Sequence, residues 1–166
     1  MHYFAYGSNL SLKRIQARLD RVKRLGTYMA WDHQLRFHKL GQDNSAKCDI
    51  YYTGDPDHYV YGALYWVDHD DKAILDRIEG LDHGYQQKQI EVENTEGHRL
   101  QAFTYYATDI QTDDKPFSWY HYHVLTGAKE NGFPQDYIQA YIEAVPAVPD
   151  PELERHRREL AIYQNY

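Results

Sequence analysis

The stretch Tyr3-Phe4-Ala5-Tyr6-Gly7-Ser8-Asn9 near the start of the chain decides the fold and indicates where its chemistry lies. The apolar and aromatic run over residues 2–6 predicts a short buried strand, Gly7-Ser8-Asn9 a turn, and residues 11–20 a helix. Such a turn directs successive backbone N–H groups at one point, and a helix N-terminus adds positive potential there. It can therefore hold a carboxylate or an oxyanion. Taken alone, however, so short a motif fits an ordinary strand-to-helix turn better.

The remaining strands and helices are predicted from the alternation of apolar and polar residues, from turn residues and from helix-capping residues. Many strands with few helices between them predict an α+β fold with a curled, mostly antiparallel sheet. A charged helix with Glu154 and Arg158 spaced as an i,i+4 pair is predicted at the end. The predicted strands lie at about 26–31, 34–39, 48–52, 59–67, 85–94 and 99–107, and the other helices run from Asp68 to Gly80, over 117–130, and through Ile138 and Ile142.

The size and charge of the chain limit its function. A length of 166 residues predicts one domain, and the net charge of −7 argues against a nucleic-acid partner. No apolar run is long enough for a membrane helix. The start lacks a secretory signal pattern and Cys48 is the single cysteine, so we expect a cytoplasmic protein. The basic residues between Lys13 and Arg24 are interpreted as the solvated face of a helix.

Several familiar sites are missing from the sequence. It contains neither a Gly-x-Gly-x-x-Gly motif nor a phosphate-binding loop. His121 and His123 would point apart on a helix and have no third ligand nearby, which argues against a metal site. Cys48 stands outside any reactive motif, so an inert buried thiol is expected.

Glu79 is a candidate acid/base. It lies just before Gly80, at the predicted end of a helix, where the negative end of the dipole raises the pKa of a carboxyl group. Burial alongside Leu75 and Ile78 would raise that pKa further. A glutamate of this kind exchanges protons near neutral pH, although an exposed glutamate at a helix end is the simpler interpretation of this position alone.

Three separated segments resemble those of the γ-glutamylcyclotransferases. They are residues 3–10 (YFAYGSNL), Ile78-Glu79-Gly80 followed by Tyr85, and residues 127–134 (GAKENGFP). Their order and spacing agree from the start of the chain to about Val145. The chain is therefore divided into a cyclotransferase-like domain at 1–145 and a proline-rich break with a charged helix at 146–166.

The resemblance implies a small curled β-barrel flanked by helices, and an enzyme that needs no cofactor and no metal. The substrate would be a small γ-glutamyl amide, which cyclises to 5-oxoproline and releases an amine or amino acid. Glu79 falls at the position of the acid/base. The segment from residue 127 to 134 is interpreted as helix-stop architecture and is left out of the site. Substrate binding is expected at Tyr3, Phe4, Ala5, Tyr6, Gly7, Ser8 and Tyr120.

Two features depart from the family pattern. Asp49 stands where an uncharged residue is more usual, so we expect it, together with the 109–115 loop, to shape the outer wall of the cleft. The tail after Pro146 has no recognised counterpart in the family. It is a candidate for association between chains, so a homodimer stays an open alternative. Two other functions also stay open: removal of a γ-glutamyl group from a biosynthetic intermediate, and a relative that binds its ligand without catalysis.

Overall fold

A closed five-stranded barrel forms the centre of the computed structural model, which describes residues 1–164. The strand order around the barrel is β1-β5-β2-β6-β7, and β3 pairs with β4 in a separate two-stranded sheet. The strands are β1 His2–Ala5, β2 Lys23–Trp31, β3 His33–Leu40, β4 Ala46–Tyr52, β5 Tyr59–Trp66, β6 Tyr85–Glu93 and β7 Arg99–Ala107.

Pairing within the barrel is antiparallel except where it closes. There β1 and β7 run parallel, with Tyr3 opposite Phe103. The prediction of an α+β fold with a curled, mostly antiparallel barrel flanked by helices is thus confirmed. Within residues 1–164, five α-helices flank the barrel: α1 Leu12–Gln16, α2 His69–Glu79, α3 Ser118–Glu130, α4 Gln135–Ile138 and α5 Leu153–Ala161. Helix α4 continues directly into a π-helical segment at Gln139–Glu143.

The helix after the first turn is shorter than predicted. Instead of a helix over 11–20, a 3-10 turn at Ser8–Leu10 is followed by the five residues of α1. Ser11 caps α1 at its start, and Ala17 follows its last residue, Gln16, as the C-cap. A helix this short aligns few peptide dipoles, so the positive potential at the loop comes mainly from individual N–H groups.

Helix α3 holds this loop from behind. A Cβ atom at Gly127 would lie 2.4 Å from both the Leu10 Cβ and the Ser11 nitrogen, so only glycine allows the helix to pack here. The Asn131 side chain donates hydrogen bonds to the carbonyls of Leu10 (3.0 Å) and Gly127 (2.7 Å). Gly132, with φ of +66°, then ends the helix. The helix-stop segment therefore also fixes the position of the loop.

The C-terminal helix α5 packs back onto the same region. Glu159 pairs with Arg14 of α1, and the Tyr163 hydroxyl donates to the Ser11 hydroxyl at 3.0 Å. The predicted pair of Glu154 with Arg158 is wrong: Glu154 instead accepts a hydrogen bond from the side chain three residues on, Arg157. Among residues 1–164, no helix has both the length and the apolar character needed to cross a bilayer.

Candidate active site

A cleft of about 210 Å³ lies between the first loop, the end of α2 and the β3–β4 sheet. A second cavity of about 20 Å³, roughly the size of a water molecule, adjoins it beneath the loop. Ser8, Glu79, Tyr85 and Tyr120 line both spaces. The cleft therefore has a narrow inner end beside the loop and a wider outer end beside the β3–β4 sheet.

Gly7 lets the loop approach the inner wall closely. A Cβ atom there would lie 3.1 Å from the Cys48 Cβ and 3.3 Å from the Tyr120 hydroxyl. The Leu10 N–H donates to the Gly7 carbonyl at 3.0 Å and closes the 3-10 turn. Ser8 and Asn9 begin that turn, so their N–H groups have no partner within it. These two donors are free to bind an anionic group of a ligand.

Glu79 lies at the end of α2, where Gly80 adopts a left-handed conformation with φ of +71°. Its Oε1 accepts hydrogen bonds from Asn9 Nδ2 (2.8 Å) and Arg18 Nη1 (3.2 Å). Arg18 Nη1 also donates to Asn9 Oδ1 at 2.8 Å, which closes a three-residue cluster. The Glu79 side chain is 19% exposed. Its carboxylate is therefore held in a fixed orientation at the wall of the cleft.

This cluster corrects two expectations. The sequence predicts Arg18 on a solvated face, but its side chain is 19% exposed and is directed at Glu79. Arg14, from the same run, also lines the cleft. The expected apolar surroundings of Glu79 hold only on one side, because Leu75 is buried whereas Ile78 is 41% exposed.

Buried tyrosine hydroxyls form the inner wall. The Tyr3 hydroxyl accepts a hydrogen bond from Asn9 Nδ2 (3.1 Å), and the Tyr6 hydroxyl donates to the Tyr105 carbonyl (2.5 Å). Tyr120 accepts from the Cys48 N–H at 2.9 Å. Burial raises the pKa of Tyr3, Tyr6 and Tyr120 well above its ordinary value. These side chains are therefore neutral phenols that orient groups and do not act as bases.

Phe4 and Ala5 do not line the cleft, contrary to expectation. Both side chains are buried in the core. The Phe4 ring packs over Gly62, where a Cβ atom would come within 2.4 Å of two ring carbons and 2.7 Å of the Ala5 carbonyl oxygen. The two residues support the site by packing and have no surface in it.

The outer wall also differs from the expected one. Asp49 is 2% exposed and is satisfied internally, accepting hydrogen bonds from His38 Nε2 (2.7 Å) and the Ala107 N–H (2.8 Å). Neither Asp49 nor the 109–115 loop lines the cleft. Lys39, the turn that follows it and Lys47 form the outer wall instead.

The cysteine and histidine considered as a reactive thiol and a metal ligand have structural roles instead. Burial raises the pKa of Cys48 to about 12, so its thiol is protonated and unreactive near neutral pH. His123 Nδ1 bonds to the Tyr163 hydroxyl at 2.7 Å. Within residues 1–164, no group of three histidine, cysteine or acidic side chains is placed to hold a metal ion.

Comparison with known proteins finds a matching family model and relatives that share one name. The model of the AIG2-like family matches residues 59–141. A γ-glutamylcyclotransferase from Mus musculus is 30% identical over 142 residues, which cover 81% of this chain and 73% of that protein. The Bos taurus protein of the same name is 28% identical over the same shares.

Solved structures agree with these relatives. One described as a γ-glutamyl cyclotransferase is 25% identical, with a TM-score of 0.82 over 99% of both chains. An uncharacterised protein from Homo sapiens is 27% identical, with a TM-score of 0.79 over 93% of this chain and 95% of that one.

Proposed function

Because the chain belongs to the γ-glutamylcyclotransferase family, we propose that it is an enzyme that cyclises a γ-glutamyl amide. The α-amine of the substrate attacks its own γ-carbonyl carbon, the bond from that carbon to the amide nitrogen breaks, and 5-oxoproline and a free amine are released. The attack is intramolecular, so the protein's main task is to hold the substrate in a reactive pose.

Glu79 acts as the general acid and base in this proposal. Of the three protons on the substrate's α-ammonium group, one stays on the ring nitrogen and two end on the departing amine. The net reaction therefore needs no outside acid or base. A carboxylate beside the scissile bond can carry these protons one at a time from the attacking nitrogen to the leaving nitrogen.

The observation that carries the proposal is the asymmetric binding of the Glu79 carboxylate. Asn9 and Arg18 both donate to Oε1. No hydrogen bond to Oε2 comes from any side chain or backbone group of residues 1–164. One oxygen is thus fixed by the protein and the other is left for the substrate amine.

The first loop holds the opposite side of the substrate. The N–H groups of Ser8 and Asn9 bind the α-carboxylate of the glutamyl group or the oxyanion that develops on the γ-carbonyl. Since Asn9 also orients Glu79, the loop and the acid/base form one unit. A displacement of the loop would disturb binding and proton transfer together.

The test is release of 5-oxoproline from a panel of γ-glutamyl dipeptides and γ-glutamyl amines. Loss of the acid/base in Glu79→Gln should lower kcat by about 100-fold or more, with an unchanged circular dichroism spectrum and melting temperature. Glu154→Gln, a change to an exposed glutamate that does not line the cleft, serves as the matched control. No 5-oxoproline from any substrate would refute the activity, and full turnover by Glu79→Gln would refute the role of Glu79.

A further inference from the structure

Four cationic side chains line the cleft, and three of them already have anionic partners. Arg18 pairs with Glu79 at 3.2 Å, Lys47 with Asp43 at 2.8 Å, and Arg14 with Glu159. The fourth, Lys39, has no acidic oxygen within 4.0 Å of its ammonium group among residues 1–164.

The surroundings of Lys39 make an unpaired charge costly. The residue is only 5% exposed, and its Nζ lies 4.7 Å from the centre of the Tyr85 ring. It occupies space left by Gly84, where a Cβ atom would lie 2.9 Å from Nζ. Burial lowers the pKa of Lys39, while the more distant Asp109, Glu79 and Asp43 oppose that effect. A cation in such a place is stabilised when an anion arrives.

Lys47 cannot take the same role. Its ammonium group donates to Asp43 (2.8 Å) and Ser45 (2.6 Å) and lies over the rings of Trp119 and Tyr120. These partners satisfy its charge and hold it at the wall of the cleft. Lys39 is therefore the cation that is available to a ligand.

The position of Lys39 identifies which part of a ligand it meets. The inner cavity beneath the first loop is lined by Ser8, Glu79 and Tyr85 but not by Lys39, which lines only the wider outer end. A substrate with its glutamyl group against the loop and its scissile amide beside Glu79 extends its leaving group toward that outer end.

We infer that Lys39 binds an anionic group on the leaving amine and is the residue by which this cleft distinguishes γ-glutamyl amino acids from γ-glutamyl derivatives of uncharged amines. This inference rests on the proposed function and adds to it the residue that recognises the leaving group. Lys39 is then a binding residue for the leaving group, while Glu79 moves the protons.

The test compares two substrates that differ by one carboxylate, γ-glutamylalanine and γ-glutamylethylamide. Wild-type kcat/KM should be higher for γ-glutamylalanine by about 10- to 100-fold, as expected for a charge-assisted hydrogen bond. Lys39→Met, which keeps the length of the side chain, should remove this preference by slowing only γ-glutamylalanine. Lys39→Arg should retain it. Lys129→Met, at a lysine 56% exposed on α3, controls for the loss of one positive charge.

The outcomes separate this inference from the function on which it rests. An equal loss for both substrates in Lys39→Met, or equal wild-type rates, would overturn the inference and leave the cyclotransferase activity standing. Failure of both substrates to give 5-oxoproline would refute the activity for this pair. Calorimetric measurement of the binding of the two amides to wild type and Lys39→Met would then test the inference about Lys39. Binding of γ-glutamylalanine that is tighter only in wild type supports the inference, and equal or absent binding overturns it.

Discussion

Replacing Gly127 with alanine should impair the proposed catalysis more than stability. The added Cβ would lie 2.4 Å from the Leu10 Cβ, 2.4 Å from the Ser11 nitrogen and 2.5 Å from the Leu10 carbonyl carbon. Two of these three atoms belong to the backbone, so no rotation of a side chain can relieve the overlap. The loop and α3 must move apart.

The size of the effect follows from these distances. Non-bonded carbon atoms pack at about 3.5–4.0 Å, so the separation has to grow by about 1 Å. Leu10 directly follows Asn9, which holds Glu79 at 2.8 Å. A displacement of about 1 Å at a positioning group costs about 100-fold in rate. Overpacking costs about 1–3 kcal/mol of stability, partly offset by the gain of about 1 kcal/mol from alanine in a helix.

The measurement pairs urea unfolding with release of 5-oxoproline from the best substrate. Gly97→Ala is the matched control, because Gly97 has φ of +80° in the β6–β7 turn and its Cβ would meet no atom closer than 4.0 Å. That change strains the backbone and lowers stability without touching the cleft. If Gly127→Ala kept wild-type turnover, or if Gly97→Ala lost as much turnover as Gly127→Ala, the loop-positioning argument would be refuted.

Two further predictions concern buried groups. The Cys48 thiol, buried and with its pKa raised to about 12, should not react with a disulfide reagent at pH 8 until urea unfolds the chain, and rapid labelling of the native protein would contradict this. Burial lowers the pKa of His123 from 6.5 to about 4, so between these pH values the unfolded chain binds the extra proton and stability falls as pH decreases. The loss should be on the order of 3 kcal/mol; unfolding curves from pH 7 to pH 4 should show a smaller loss in His123→Gln, and an equal loss would contradict the assignment.

Local patterns in the sequence were sufficient for most elements. Alternation predicted β5, and the turn at residues 94–97 predicted the hairpin of β6 and β7. Asp68 and Gly80 marked the two ends of α2, and both act as its caps. These signals depend on neighbouring residues only, so they are readable without the fold. The position of Glu79 at a helix end was predictable for the same reason.

The environment of the site depended on distant residues and could not be predicted. The role of Arg18 was missed because its assignment to a solvated face assumed a helix over residues 11–20, whereas α1 ends at Gln16. Asp49 was expected in the cleft, but its charge is satisfied by the N–H of Ala107, a residue far along the chain. No sequence pattern indicates a role for Lys39, because none shows that the sheet of β3 and β4 stands apart from the barrel and forms the outer wall of the cleft.

The way the barrel closes has a consequence for the order in which the chain folds. Strand β1 needs β5 and β7 as its neighbours, and Asn131 holds the loop after β1 across a separation of 121 residues. Contacts between such distant parts of a chain form slowly, since a long loop must be closed before they contribute. During synthesis, β1 must therefore wait for β7 and α3 before its contacts are complete. We expect the first loop to be among the last parts to take shape, so that unfinished chains lack the proposed site and expose the aromatic side chains of β1 to aggregation.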